Sequence, residues 1–171
     1  EGQSADYVIT GSWAKKALGE AKQVCTPRVA ATTEKDGKFP RVPKDAELQL
    51  DPQAAYAHIT SNNTIKGTQY RDFPDTGGVP LVADMSSDIL WRPIDANRFN
   101  LIYAGAQKNI GPAGVTIVIL KKSWLEHANQ GLPSMLSYST YSNKDSLYNT
   151  PPSPVARFWS ITATARLPPS A

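Results

Sequence analysis

The chain has very few of the residues that bind metal ions or form disulfide bonds. Its 171 residues include one cysteine, Cys25, and two histidines, His58 and His127, which lie far apart in the sequence. A single cysteine excludes a disulfide bond within the chain and favours a reducing compartment. Zinc and similar metals need a cluster of such ligands. We therefore expect no metal site, a cytoplasmic location, and a structural or exposed role for each histidine.

Long apolar runs and strong charge are also missing. No run of apolar residues approaches the length of a membrane span, and the first residues lack a signal-peptide pattern. The net charge is only +3, and no basic run is interleaved with aromatic residues, so nucleic-acid binding is not expected. A glycine-rich nucleotide-binding motif is absent as well, which argues against a generic nucleotide-binding domain.

Short apolar runs punctuated by turns predict an α/β fold. A strand over residues 5–10 leads through Gly11 into a helix, for which Ser12 is the expected N-cap. We expect five further strands, over residues 29–33, 54–60, 80–83, 101–104 and 115–120. Ser123 is then placed to cap a helix from Trp124 to His127, and the chain from Gly131 onward is predicted to be irregular.

Lys108 follows the buried strand 101–104 in a turn rich in glycine and proline. The next strand begins almost at once, so the lysine is expected to lie between two rigid elements. Ligands of open α/β sheets bind at the carboxyl ends of strands. A lysine held there against apolar walls is suited to Schiff-base chemistry, although a solvated loop lysine is the alternative.

Three other residues stand just beyond predicted strands. Asp84 follows the strand 80–83, where a carboxylate leaving a buried strand needs a cation or a hydrogen-bond donor; the alternative is that Asp84, Ser86 or Ser87 is the N-cap of a helix. Thr64 belongs to a polar Ser-Asn-Asn-Thr cluster that is equally typical of turns. Trp13 begins the first helix, where it either covers a cofactor ring or packs at the turn. Together with Lys108, these residues suit an aminotransferase that uses pyridoxal phosphate as an electron sink.

Four segments carry a more specific signal. They are 5–13, Val82-Ala83-Asp84-Met85-Ser86-Ser87, Tyr103-Ala104-Gly105-Ala106-Gln107-Lys108-Asn109-Ile110-Gly111-Pro112-Ala113-Gly114 and Ser146-Leu147-Tyr148-Asn149-Thr150-Pro151-Pro152. With these motifs in this order, the chain resembles the phosphoserine aminotransferase family of class V, fold-type I enzymes that depend on pyridoxal 5'-phosphate. The resemblance implies a mixed, mostly parallel sheet with flanking helices, as in the large domain of those enzymes.

The resemblance also implies a role for each matching residue. Lys108 is implied to form the Schiff base with the cofactor and to be the catalytic residue. The implied cofactor-binding residues are Asp84 at the ring nitrogen, Trp13 on the ring face, Thr64 at the ring hydroxyl and Gln107 at the phosphate. Asn149 and Thr150 are implied to reach the cofactor phosphate of a neighbouring subunit, since members of this family work as homodimers with shared sites.

The implied reaction exchanges an amino group between glutamate and 3-phosphooxypyruvate, giving 2-oxoglutarate and phosphoserine in serine biosynthesis. Bacterial members also use a phosphorylated hydroxythreonine in pyridoxine biosynthesis. The resemblance covers roughly residues 5–152. We expect residues 1–152 to be the central part of a cofactor-binding large domain and residues 153–171 to be a divergent, poorly ordered tail. The glycine-rich phosphate loop and the substrate-binding arginines of the family have no counterpart here. We therefore expect impaired turnover, and the alternative is a non-catalytic fragment that only associates with other subunits.

Overall fold

A computed structural model describes residues 3–129 and 131–150 of the chain. They fall into two compact units that divide after Lys121. The first unit contains a β-sheet and one long helix, and the second contains short helices. The predicted tail, residues 153–171, lies outside the described residues.

The first unit is built on a six-stranded sheet. In chain order its strands are β1 (Ser4–Ile9), β2 (Thr26–Thr32), β3 (Ala57–Thr60), β6 (Leu81–Asp84), β7 (Leu101–Gly105) and β8 (Thr116–Leu120). Helix α1 (Ser12–Ala21) follows β1, and a separate hairpin consists of β4 (Asn62–Asn63) and β5 (Thr68–Gln69). Short 3₁₀ turns occupy Asp45–Glu47 and Ala96–Arg98.

The spatial order of the strands is β2-β1-β3-β6-β7-β8. The first five strands in this order run parallel to their neighbours, and β8 pairs antiparallel with β7. The antiparallel arrangement follows from the short turn that joins these two strands, because a parallel neighbour would need a long crossover. The predicted mixed, mostly parallel sheet with flanking helices is confirmed.

Both faces of the central strands β1, β3, β6 and β7 are covered, as expected for parallel strands. One face carries Val8, Ile59 and Ile102, which pack against side chains from the connections, including Tyr70, Met85, Ile89 and Phe99. On the other face, Tyr7 and Ile9 pack against the apolar side of α1, where Ala14 and Ala21 are buried. The alanine spacing that predicts this helix therefore also identifies its buried side.

The second unit differs from its prediction at two points. Helix α2 spans Lys122–Glu126, so Ser123 lies inside the helix and does not cap it. The stretch predicted to be irregular contains a 3₁₀ turn, Ser134–Leu136, and helix α3, Tyr138–Ser142. Serine and tyrosine have modest helix propensity, which is why the sequence pattern misses so short a helix. None of the helices in the described residues is long and apolar enough to cross a membrane.

Candidate functional site at the carboxyl edge of the sheet

Four parallel strands bring the predicted site residues to one edge of the sheet. Because β1, β3, β6 and β7 are parallel, their carboxyl ends meet at the same edge. Trp13 follows β1, and Thr64 lies in the β4–β5 hairpin that comes after β3. Asp84 is the last residue of β6, and Gln107 and Lys108 follow β7. Residues that are up to 95 positions apart in the sequence (Trp13 to Lys108) therefore share one region of the first unit.

Trp13 is the point at which three of these side chains meet. The Lys108 ammonium nitrogen lies 5.2 Å from the centroid of the Trp13 ring. The indole Nε1 of Trp13 donates a hydrogen bond to the Thr64 hydroxyl over 3.3 Å. A second ammonium group, that of Lys16, lies 4.8 Å from the same ring. Cations are attracted to the face of an indole, so Trp13 fixes the region in which both amines lie.

The position of Trp13 depends on Asn63, a fully buried residue of the β4–β5 hairpin. Its side-chain oxygen accepts hydrogen bonds from the backbone N–H groups of Trp13 (3.2 Å) and Ala14 (3.3 Å). The amide nitrogen of Asn63 in turn donates to the Thr10 hydroxyl over 2.9 Å. These bonds satisfy donors that the start of α1 would otherwise leave unpaired.

The N-cap position is Gly11, and the predicted cap Ser12 is the first residue of the helix. A β-carbon at Gly11 would come within 2.6 Å of three side-chain atoms of Asn63. Glycine is therefore required here by the close approach of a side chain that lies about 50 residues further along the chain. The prediction that Ser12 caps the helix is wrong because the cap comes from another element.

Replacing Asn63 by alanine is expected to lower the free energy of unfolding by about 1–3 kcal/mol, since it leaves buried donors without an acceptor. The loss is measured by urea denaturation, followed by the far-ultraviolet circular dichroism signal. Asn62→Ala is the matched control, because that neighbouring side chain does not cap α1, and its cost should be clearly smaller. Equal costs for both variants would contradict the capping role.

Asp84 is half-buried at the end of β6 and is held by its own turn. Its Oδ1 accepts hydrogen bonds from the backbone N–H of Ser86 (2.9 Å) and from the Ser86 hydroxyl (2.6 Å). The Ser86 oxygen also accepts a bond from the N–H of Gly105 at the end of β7, over 3.0 Å. The carboxylate is thus fixed by a local turn, not at the start of a helix as its capping alternative predicts, and is linked to the strand that precedes Lys108.

Gln107 and Lys108 belong to the turn between β7 and β8, as predicted, and both side chains are exposed. The Gln107 side chain folds back over Gly105, where a β-carbon would lie 2.7 Å from its Oε1. Lys108 is expected to lie against apolar walls; in the part of the chain that the structure describes, its side chain is exposed and lies over the Trp13 ring. The lysine is therefore solvent-exposed, as in its loop alternative, but it also contacts an aromatic ring.

Two predicted residues, Asn149 and Thr150, belong to the second unit. Both are exposed there. Their predicted contact with a neighbouring subunit involves a second chain and remains a prediction.

His58 is buried in the sheet beside this edge, in agreement with its predicted structural role. Its ring stacks on Tyr7, with centroids 4.9 Å apart, and its Nε2 lies 3.0 Å from the Tyr103 hydroxyl. Burial lowers the pKa of His58 to about 4, because the charged imidazolium is poorly solvated there, while the negative charge of Asp84 acts in the opposite direction. Burial also raises the pKa of Tyr7, so that both groups are neutral at pH 7.

Sequence reasoning misses three residues that shape this edge: Lys16, Asn63 and Ser86. Lys16 follows Trp13 by three positions on α1, so helical spacing would have predicted its proximity to the indole. Ser86 follows Asp84 by two positions, the spacing of a turn in which a side chain bonds the backbone. Asn63 has no such local signal, because its partners lie 49 and 50 residues away.

Across residues 3–129 and 131–150, no group of three or more histidine, cysteine, aspartate or glutamate side chains could hold a metal ion.

Comparison with known proteins assigns the chain to a family. The aminotransferase class-V family matches residues 1–167 of the chain. The chain belongs to this family.

Relatives within the class-V aminotransferases are similar in sequence and in structure. A phosphoserine aminotransferase of Desulfosudis oleivorans is 65% identical over 153 residues, which are 89% of this chain and 42% of that protein. The structure of the enzyme from Bacillus circulans subsp. alkalophilus has a TM-score of 0.84 and 57% identity, covering 90% of this chain and 42% of its own. A pyridoxal-phosphate-bound phosphoserine aminotransferase from Trichomonas vaginalis has a TM-score of 0.79 and 35% identity, covering 88% of this chain and 42% of its own. The chain thus spans about two fifths of the length of these relatives.

Proposed function

We propose that the carboxyl edge of the sheet binds pyridoxal 5'-phosphate and carries the central chemistry of a phosphoserine aminotransferase. The proposal rests above all on the Lys108 amine, which lies 5.2 Å from the ring of Trp13 at the end of β7. Such a cofactor needs an amine to attach it, an aromatic face, a carboxylate for its ring nitrogen and a hydroxyl for its ring oxygen. Lys108, Trp13, Asp84 and Thr64 supply these groups at one edge of the sheet.

Each residue has a distinct task in this proposal. Lys108 attaches the cofactor through its Nζ and then moves a proton at the α-carbon of the amino-acid substrate. Asp84, fixed by Ser86, holds a proton on the ring nitrogen. Trp13 covers the ring face and excludes water, Thr64 binds the ring hydroxyl, and Gln107 binds the phosphate. The cofactor, when bound, withdraws electrons from the substrate and so makes the α-proton removable.

The substrates and the assembly are part of the same proposal. We infer that the chain takes phosphoserine and 2-oxoglutarate in one direction, and 3-phosphooxypyruvate and glutamate in the other. Residues 1–152 form the cofactor-binding part, and Asn149 and Thr150 contact the cofactor phosphate of a second subunit in a homodimer. We further propose that the protein acts in the cytoplasm. Support comes from relatives named phosphoserine aminotransferase that are 57–65% identical to the chain.

A non-catalytic protein that only associates with other subunits is the second candidate, and the exposure of the Lys108 side chain favours it. One experiment separates the two. The purified chain is mixed with pyridoxal phosphate, reduced with borohydride and mapped by peptide mass spectrometry. The proposed function predicts a label on Lys108 and little turnover of phosphoserine. A label spread evenly over surface lysines, including Lys16, would favour the non-catalytic candidate.

A further inference from the structure

Asn109 directly follows Lys108 and has no task in the proposed function. Its side-chain amide nitrogen donates a hydrogen bond over 2.6 Å to the backbone carbonyl of Ile89, which lies 20 residues earlier in the chain. The direction of this bond is fixed, because a carbonyl oxygen can only accept. Ile89 is 5% exposed and packs in the core, whereas Asn109 lies at the surface. The bond therefore joins the turn that carries Lys108, residues 106–111, to a buried part of the fold.

The segment that accepts this bond is the turn that follows Asp84, residues 85–90. Leu90 has a φ of 65°, in the left-handed region that leucine seldom adopts, and its side chain is 75% exposed. The packing of that side chain does not account for the conformation. The φ angle at Leu90 orients the preceding peptide group, whose carbonyl accepts from Asn109. Backbone strain of this kind is found at functional sites.

Two hydrogen bonds join these turns, one on each side of Lys108. Before the lysine, the N–H of Gly105 donates to the Ser86 hydroxyl oxygen over 3.0 Å, and Ser86 also holds the Asp84 carboxylate. After the lysine stands the bond from Asn109. The paired residues of β6 and β7 end at Asp84 on the β6 side. Beyond that point the two side-chain bonds hold the turns together.

We propose that Asn109 is a positioning residue: by anchoring the turn of Lys108 to the turn of Asp84, it sets the distance between the amine and the carboxylate. The inference rests on the proposed function, in which these groups hold opposite ends of one cofactor ring. The aldehyde of pyridoxal phosphate lies para to the ring nitrogen, so a rigid ring demands one separation of the two groups. Such groups must be held to within about 0.5 Å.

The first part of the test needs no cofactor and asks whether Asn109 anchors its turn. Amide hydrogen exchange is followed by NMR in the unaltered chain and in Asn109→Leu, which keeps the approximate shape of the side chain but has no donor. The N–H groups of Ile110 and Gly111, which bond the Ala106 carbonyl, are expected to exchange about 2- to 10-fold faster in the variant. Asn97→Leu, which replaces an exposed asparagine between β6 and β7, should leave both rates unchanged. Unchanged rates in Asn109→Leu would overturn the inference.

The second part compares two aldehydes, pyridoxal 5'-phosphate and its analogue in which a C–H group replaces the ring nitrogen. Both can bond to Lys108, but only the first engages Asp84 through that nitrogen. The visible absorption band gives a dissociation constant for each aldehyde. The ratio of the two constants measures the preference for the ring nitrogen, and so reports how well the amine and the carboxylate fit one ring. A general loss of stability would weaken both aldehydes alike and leave the ratio unchanged.

Asn109→Leu is expected to reduce the preference for the ring nitrogen by about 2- to 10-fold. Asn109→His should restore it at pH 8, because the Nδ1–H of a neutral imidazole can take the place of the asparagine amide. If both bands form and Asn109→Leu keeps the ratio of the unaltered chain, the positioning role is overturned and the proposed function stands. If neither aldehyde forms a band with the unaltered chain, the proposed function fails and the positioning role fails with it.

Discussion

Lys108→Arg is expected to abolish covalent attachment of pyridoxal phosphate, so that borohydride reduction leaves the chain without a specific label. Arginine keeps the positive charge beside Trp13, but its guanidinium does not form a stable imine with an aldehyde. The loss therefore reports the nucleophile rather than the charge. The number of cofactor labels on each chain is measured by mass spectrometry of the intact protein. The visible absorption of the bound cofactor should disappear in parallel.

Lys16 provides a demanding control for this prediction. Its ammonium lies 4.8 Å from the Trp13 centroid, slightly closer than the 5.2 Å of Lys108, so proximity to the indole does not distinguish the two amines. They differ in their position in the fold, because Lys108 follows β7 beside the strand that ends in Asp84, whereas Lys16 lies on α1. Lys16→Arg should keep the label. If Lys16→Arg loses it and Lys108→Arg keeps it, the assignment is wrong.

The six strands of the sheet, in their order along the chain and with approximate bounds, could be predicted from the sequence. Each of them is a short apolar run that ends at a turn. Leu101–Gly105 is an example, since its pattern fits a buried strand and the glycine-rich turn marks its end. The same pattern places Asp84 and Lys108 at strand ends. Once the strands are known to be parallel, those two residues must approach the same edge of the sheet.

Contacts between distant segments could not be predicted in this way. Neither helix periodicity nor turn propensity indicates that Asn63 caps a helix that begins at Ser12, because the bond joins elements about 50 residues apart. Local turn chemistry predicts only that Asn63 bonds its own neighbours. The burial of His58 is similarly non-local, since its neighbours Tyr7 and Tyr103 come from two other strands. A single sequence contains the residues of the site but not the packing that fixes their protonation and orientation.

Acidification from pH 7 to pH 4 is expected to remove about 3 kcal/mol of stability through His58 alone. Burial lowers the pKa of His58 to about 4 in the folded chain, whereas an unfolded histidine titrates near 6.5. The unfolded state therefore binds a proton over this window that the folded state does not. Stability is complete above about pH 6.5 and falls as the pH approaches 4.

This acid sensitivity is measured by urea denaturation at a series of pH values and compared with that of His58→Gln. The variant should be less stable at pH 7, because it leaves the Tyr103 hydroxyl and the stacking face of Tyr7 poorly matched. Its stability should nevertheless fall less steeply between pH 6.5 and 4, so the two curves converge. His127→Gln, which replaces an exposed histidine, should retain the steep loss of the unaltered chain. Parallel curves for the chain and for His58→Gln would contradict the idea that burial holds His58 neutral.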